Sequence, residues 1–157
     1  MALFGPTLLR VALGLVFAAH GAQKLFGVGG GGGLTGTAAF FAQLGLSPAF
    51  VLAMASGLAE TFGGLFLIAG LFTRITAAVL AVEMLVAAWK AHLANGFFLN
   101  LMNTPGAGHG YEFSLVLIAA LVSLIITGPG RLSVDHSKAR DADATAASPA
   151  RVQSGAV

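Results

Sequence analysis

The residues best suited to chemistry are a few ionisable side chains set within otherwise apolar stretches. Ammonium and imidazole groups donate hydrogen bonds to a ligand's oxygen atoms, and a nearby carboxyl group exchanges protons with it. On this basis the sequence predicts Glu60 and Glu83 as the catalytic carboxyls. The predicted ligand-binding residues are His20, Lys24, Lys90 and Glu112.

The same residues also allow a purely structural interpretation. In that interpretation Lys24 and Lys90 neutralise Glu60 and Glu83 in buried pairs that fix the register of the helices. The functional interpretation is favoured because ionisable groups deep within long apolar segments are usually functional. Both interpretations place the four residues inside the protein and away from lipid.

A metal or haem site is a further alternative, held by His20, His92 and His109 together with Glu112. Metal-ligand spacing of the HExxH kind is absent, so the sequence predicts no metal site. The chain also has no cysteine, which excludes disulfides, thiolate metal sites and cysteine-ligated iron–sulfur clusters. No covalent cofactor is predicted.

The composition is that of an integral membrane protein. Of the 157 residues, 57% are hydrophobic and 9% are charged, with a mean hydropathy of +0.88, whereas an ordinary soluble domain is about 25% charged. The net charge of +2 comes from few charged residues. Their positions indicate how the protein is oriented in the membrane, and they do not indicate nucleic-acid binding. Membrane lipid is therefore the first predicted partner.

The predicted fold is an all-α integral membrane four-helix bundle with a short interfacial helix between the first two spans. A spanning helix needs about 20 apolar residues. The four-span domain covers residues 1–133, and the polar segment 134–157 is predicted to be a disordered cytoplasmic tail. The predicted spans are 5–26, 48–71, 75–94 and 111–127, with the interfacial helix near 35–46.

The stretch from Leu9 to Phe26, within the first span, carries charged side chains that must be kept away from lipid. At about 100° per residue, Arg10, Gly21 and Lys24 share one narrow face, which must pack against other helices of the protein. Small residues on such faces let helix backbones approach closely. The residues predicted to be structural are Arg10, Gly21, Gly57, Gly63, Gly64 and Arg74.

The distribution of basic residues predicts the orientation. With four spans both termini lie on one side, and the positive-inside rule makes that side the cytoplasm. Lys24, Lys90 and Glu112 then fall in the outer half of the bundle, where we expect a polar chamber. The side of the termini holds Arg10, Arg74, Arg131, Lys138, Arg140 and Arg151, and the other side holds Lys24 and Lys90.

Four short motifs resemble those of the DoxX family. They are HGxxKLFG at 20–27, ExxGG at 60–64, GxxTR at 70–74 and GPGxxSxD at 128–135. The resemblance covers about the first 135 residues and implies a small four-helix protein of the bacterial inner membrane. By position it singles out His20, Lys24, Glu60, Gly63 and Gly64.

The resemblance also implies a range of functions. Members of the family have been linked to thiosulfate oxidation with quinone as acceptor. Others have been linked to an oxidative-stress membrane complex with a superoxide dismutase and a sulfurtransferase. It therefore implies soluble redox or sulfur-handling enzymes as partners.

Two classes of function follow from the sequence. The first is a subunit of a redox or oxidative-stress system that binds a quinone-like ligand in the polar chamber and receives electrons from a partner. The second is a non-enzymatic protein, either a small-molecule or proton-coupled carrier or a scaffold for soluble enzymes. Four spans are few for a monomeric carrier, so that version predicts a homo-oligomer.

Overall fold

The fold is all-helical in a computed structural model that describes residues 4–147, with side chains described as far as Arg140. No strand occurs within that described part. The predicted all-α membrane bundle is confirmed. The helices are α1 (Phe4–Phe26), α2 (Gly33–Gln43), α3 (Ala49–Ala69), α4 (Thr73–Ala87), α5 (Glu112–Thr127) and α6 (Val134–Ala147).

Three helical segments within residues 4–147 are long and apolar enough to cross a bilayer. Two of them are α1 and α3, and the third is Thr73–Asn95. In the third, α4 continues through a π-helical turn at Ala88–His92 and a tight 3₁₀ turn at Leu93–Asn95. These segments correspond to the first three predicted spans.

Helix α5 is shorter but runs the length of the bundle beside α4. Its 16 residues extend about 24 Å, against about 30 Å for the hydrocarbon core of a bilayer. Just before its start, the amide of Tyr111 donates a hydrogen bond to the Gly96 carbonyl beyond the end of α4 (3.1 Å). Near its end, Arg74 in the first turn of α4 donates to the Ile126 carbonyl (3.4 Å). The two helices are therefore antiparallel neighbours.

The four long helices form a closed bundle in which α1 packs on α3, α3 on α4, α4 on α5 and α5 on α1. The centre is filled by fully buried leucines at positions 67, 80, 121 and 124. The outer faces are apolar as well, and on α4 the exposed residues include Ile75, Val79 and Val82. An exposed apolar surface of this kind is the surface that a membrane protein presents to lipid.

Helix α2 is the predicted short helix between the first two spans, and it packs against both α1 and α3. It begins at Gly33, at the end of the glycine run, rather than at residue 35 as predicted. The Thr37 hydroxyl donates to the carbonyl of Lys24 (3.2 Å), which ties α2 to the last turn of α1.

Helix α6 differs from the predicted disorder of segment 134–157. Ser133 caps it, because the Ser133 hydroxyl accepts a hydrogen bond from the amide of His136 (3.1 Å). The carboxylate of Asp135 accepts hydrogen bonds from the amides of Phe72 (2.9 Å) and Thr73 (2.8 Å), at the start of α4. Polar caps at Ser133 and Asp135 therefore anchor the start of α6. The remainder of the predicted tail, 148–157, lies outside the described residues.

Candidate functional site

Glycines bring the backbones of α1 and α3 into direct contact. A Cβ atom on Gly64 would lie only 2.6 Å from the Gly14 carbonyl oxygen, and one on Gly21 would lie 2.8 Å from that of Gly57. The two glycines of each helix are seven residues apart, so antiparallel helices pair Gly14 with Gly64 and Gly21 with Gly57. Gly63 faces α4 instead, where a Cβ would lie 3.2 Å from the side chain of Leu80.

This antiparallel contact makes Lys24 and Glu60 converge. Helical side chains lean toward the N-terminus of their own helix. Lys24 therefore leans back from the end of α1 into the bundle, while Glu60 leans toward the start of α3. The Lys24 Nζ and Glu60 Oε2 atoms lie 2.9 Å apart.

Helix α4 contributes a second carboxylate to the same place. Lys24 Nζ lies 3.4 Å from Glu83 Oε1 and donates a hydrogen bond to the Ser56 hydroxyl (2.7 Å). That hydroxyl in turn donates to Glu83 Oε1 (2.5 Å). We refer to Lys24, Ser56, Glu60 and Glu83 as the lysine cluster. It joins three helices through one ammonium group.

The lysine cluster is deeply set but remains accessible. The side chain of Glu60 is 2% exposed, that of Glu83 is 17% exposed and that of Lys24 is 24% exposed. Glu60 Oε2 and Glu83 Oε2 are both buried, and neither has a hydrogen-bond partner among the described residues. An ammonium group with partial access and a carboxylate oxygen free to accept or share a proton are the features of a polar binding site.

Lys90 lies apart from the lysine cluster. Its ammonium group sits over the ring of Trp89, 4.5 Å from the ring centroid. Within the described residues both ion pairs belong to Lys24, so Lys90 does not form the carboxylate pair that the structural interpretation assigns to it. Lys90 lies within the π-helical turn at Ala88–His92, where the winding departs from the regular α-helical spacing on which the prediction depends.

The histidines lie near the surface and bond to backbone groups. His20 is exposed, and its Nδ1 atom pairs with the Val16 carbonyl (2.9 Å). The Nδ1 atom of His92 pairs with the His109 carbonyl (3.0 Å). Over the described part of the chain, no three His, Cys, Asp or Glu residues lie close enough to hold a metal ion. The structure thus does not assemble the alternative metal site.

Glu112 belongs to a different surface. Its Oε1 atom accepts a hydrogen bond from the amide of Leu99 (3.0 Å), which fastens the loop between α4 and α5. It lines an open groove of about 330 Å³ whose other walls are apolar. The predicted ligand-binding residues are therefore divided, with Lys24 in the lysine cluster and Lys90 and Glu112 elsewhere.

Arg10 stabilises the opposite end of α1. Its guanidinium group, 1% exposed, donates hydrogen bonds to the carbonyls of Leu67 and Ile68, which lie in the last turn of α3. The same group donates to the carbonyls of Pro129 (3.1 Å) and Leu132 (2.5 Å), beyond the end of α5. Arg10 thereby satisfies backbone acceptors that helix termini leave open. Arg74, predicted to be structural too, is exposed and makes the single bond to α5 described above.

Ser56 is a member of the lysine cluster that was not among the site residues predicted from the sequence. The signal was present, because Ser56 lies one helical turn before Glu60 on the same face of α3. The role of Asp135 as a cap for α4 depends on a contact across more than 60 residues. No local pattern reveals such a contact.

Comparison with known proteins agrees with the resemblance to the DoxX family. The DoxX family model matches residues 5–93. An uncharacterised membrane protein of Mycobacterium tuberculosis is 30% identical over 145 residues, covering 88% of this chain and 84% of that protein. A Bacillus subtilis protein named "Putative oxidoreductase CatD" is 30% identical over 131 residues, covering 83% of this chain and 84% of its own. No solved structure matches the chain. The chain therefore belongs to the DoxX family of membrane proteins.

Proposed function

We propose that the lysine cluster binds a neutral, oxygen-bearing molecule from the membrane, of the quinone type, and that the chain serves as a membrane subunit of a redox system. The carrying observation is the ammonium group of Lys24, partly accessible and held between two carboxyl groups inside an apolar bundle. The oxidoreductase name of the Bacillus subtilis relative supports the redox assignment.

The charge of the lysine cluster favours a neutral ligand over an anion. Two carboxyl groups share one ammonium, so the cluster is neutral with one carboxyl ionised and carries one negative charge when both are ionised. Repulsion between like charges is strong where water is scarce. A sulfur oxyanion or a carboxylate would meet this repulsion, whereas a carbonyl oxygen accepts a hydrogen bond from Lys24 without adding charge.

Each residue has a defined task in this proposal. Lys24 donates a hydrogen bond that orients the ligand's carbonyl oxygen, and the hydroxyl of Ser56 holds both Lys24 and Glu83 in place. The carboxyl pair supplies or receives a proton at the bound oxygen. A quinone, when bound, accepts two electrons and two protons, and a soluble partner enzyme with its own carrier supplies the electrons.

We also propose that the protein lies in the bacterial inner membrane with both termini in the cytoplasm. Arg10 and Arg74 both contact the end of α5, and α6 begins at that same end of the bundle. Basic residues therefore gather at one end, which the positive-inside rule assigns to the cytoplasm. The lysine cluster then lies toward the outer half, within reach of quinones in the bilayer.

The test is equilibrium binding of a short-chain benzoquinone to the protein in lipid nanodiscs. We expect saturable binding by the wild type and at least about tenfold weaker binding by Lys24→Met, because a hydrogen bond from a charged donor is lost. Lys90→Met is the matched control and should bind as the wild type does, since Lys90 lies over Trp89 and pairs with no described carboxylate.

Circular dichroism would establish that each variant is folded before binding is compared. Equal affinity in Lys24→Met and Lys90→Met would contradict the proposed site. A folded wild type that shows no saturable binding to benzoquinones or naphthoquinones would contradict the ligand class and favour a carrier or scaffold role.

A further inference from the structure

We infer that the ligand-free lysine cluster holds one extra proton at neutral pH, and that Glu60 carries it while Glu83 is the ionised partner of Lys24. The proton is a property of the protein alone. Its use at a ligand oxygen rests on the function proposed above.

The number of protons follows from the groups that face the cluster. Helix α1 contributes Lys24 and the exposed His20, α3 contributes Ser56 and Glu60, and α4 contributes Glu83. Helix α2 carries no ionisable residue. With histidine neutral, two ionised carboxylates against one ammonium would leave a net negative charge inside an apolar bundle. Binding one proton removes that charge.

Helix α5 also packs on the bundle, and its one ionisable side chain is Glu112 in the first turn. That carboxyl group accepts the amide hydrogen of Leu99 and belongs to the groove described above. It therefore adds no positive charge that would stabilise a second ionised carboxylate in the cluster.

The surroundings of the two carboxyls decide which one is neutral. Glu83 Oε1 receives hydrogen bonds from both Ser56 and Lys24, and the side chain keeps 17% exposure. Glu60 has only the contact with Lys24 and is 2% exposed. Hydrogen-bond donors stabilise the ionised form of a carboxyl, and burial stabilises the neutral form. Glu60 is therefore the group that holds the proton.

The short contact between Lys24 and Glu60 is compatible with a neutral Glu60. A protonated carboxyl group retains a carbonyl oxygen that accepts a hydrogen bond from an ammonium group. Glu60 Oε2 lies 2.9 Å from Nζ and has no hydrogen-bond partner among the described residues, so the contact does not require an ionised Glu60. A carbonyl ligand bound to Lys24 would therefore lie in the same site as the proton on Glu60.

Glutamate-specific labelling gives a direct count of protonated glutamate side chains, because the sequence contains only three glutamates, at positions 60, 83 and 112. We propose carbon-13 NMR of ligand-free, glutamate-labelled wild type in nanodiscs at neutral pH. The expected spectrum has one neutral and two ionised side-chain carboxyl signals. Three ionised signals would overturn the inference, and this measurement needs no variant.

Infrared spectroscopy of conservative variants assigns the proton. The protonated-carboxyl C=O band should shift in Glu60→Asp and keep its position in Glu83→Asp, while the His20→Gln control retains it. Lys24→Met should show two such bands, because neither carboxyl then has a cation. A band that shifts with Glu83→Asp and not with Glu60→Asp would overturn the assignment.

These outcomes are independent of the quinone titration. A wild type with one neutral Glu60 and no quinone binding would preserve the inference and reject the proposed function. Quinone binding that depends on Lys24, together with three ionised glutamates, would support the proposed function and reject the inference.

Discussion

Replacing Gly64 with alanine should destabilise the protein by about 1–3 kcal/mol, although alanine is the better helix former. The added methyl group would meet the Ala18 amide nitrogen and lie 2.6 Å from the Gly14 carbonyl oxygen. Both are backbone atoms, so no side-chain rotation relieves the overlap and the two helices must separate. Because Lys24 meets Glu60 across the same helix pair, separation would also weaken the lysine cluster.

Gly36→Ala is the matched control for this prediction. A methyl group on Gly36, in α2, would have no atom within 4 Å. This substitution should leave the protein as stable or stabilise it by about 0.5–1 kcal/mol through helix propensity. Thermal unfolding in mild detergent, followed by circular dichroism, compares the two variants. Equal stability of Gly64→Ala and Gly36→Ala would contradict the close contact between α1 and α3.

Replacing Arg10 with methionine should cost at least about 3 kcal/mol of folding free energy. Methionine fills much of the same space but leaves the carbonyls of Leu67, Ile68, Pro129 and Leu132 without their charged donor. Each buried acceptor that loses its partner costs about 1–3 kcal/mol, and the losses are not additive. The end of α3 and the segment after α5 should detach together.

Arg74→Met supplies the control, because Arg74 is exposed and makes one long hydrogen bond to Ile126. Surface substitutions of this kind change stability by no more than about 0.5 kcal/mol. Unfolding temperature and the rate of proteolysis within residues 128–133 would be measured for both variants. Similar behaviour of Arg10→Met and Arg74→Met would show that Arg10 is not a structural residue.

The two ends of α1 thus have different tasks. Arg10 and Lys24 are 14 residues apart, which is about 21 Å along a helix. Arg10 bonds only to backbone carbonyls and fixes how α3 and α5 end, whereas Lys24 bonds to side chains and keeps partial exposure. The glycine contacts between them hold α1 and α3 in the register that both ends need.

Much of this architecture could be predicted from the sequence because the physical signals are local. Long apolar stretches identify the helices, and a stripe of glycines marks the faces that pack. The convergence of Lys24 with Glu60 follows from helical periodicity, since each lies on the polar face of its span. Each of these patterns is visible within a few turns of a single helix.

The remaining features depend on departures from regular periodicity or on distant contacts. Lys90 lies in a π-helical turn and over the ring of Trp89, and the local sequence gives no sign of that turn. Helix α6 depends on the caps at Ser133 and Asp135, one of which reaches back to the start of α4. The single predicted chamber is divided because Glu112 bonds to the backbone of its own loop.

The most direct test of the binding site is photo-crosslinking with a neutral, photoreactive benzoquinone in native membranes. We predict labelling of the segments of α1, α3 and α4 that surround the lysine cluster, suppressed by excess unlabelled quinone and lost in Lys24→Met. Labelling confined to lipid-facing residues of α4 such as Ile75 and Val79, unaffected by the competitor, would contradict the account.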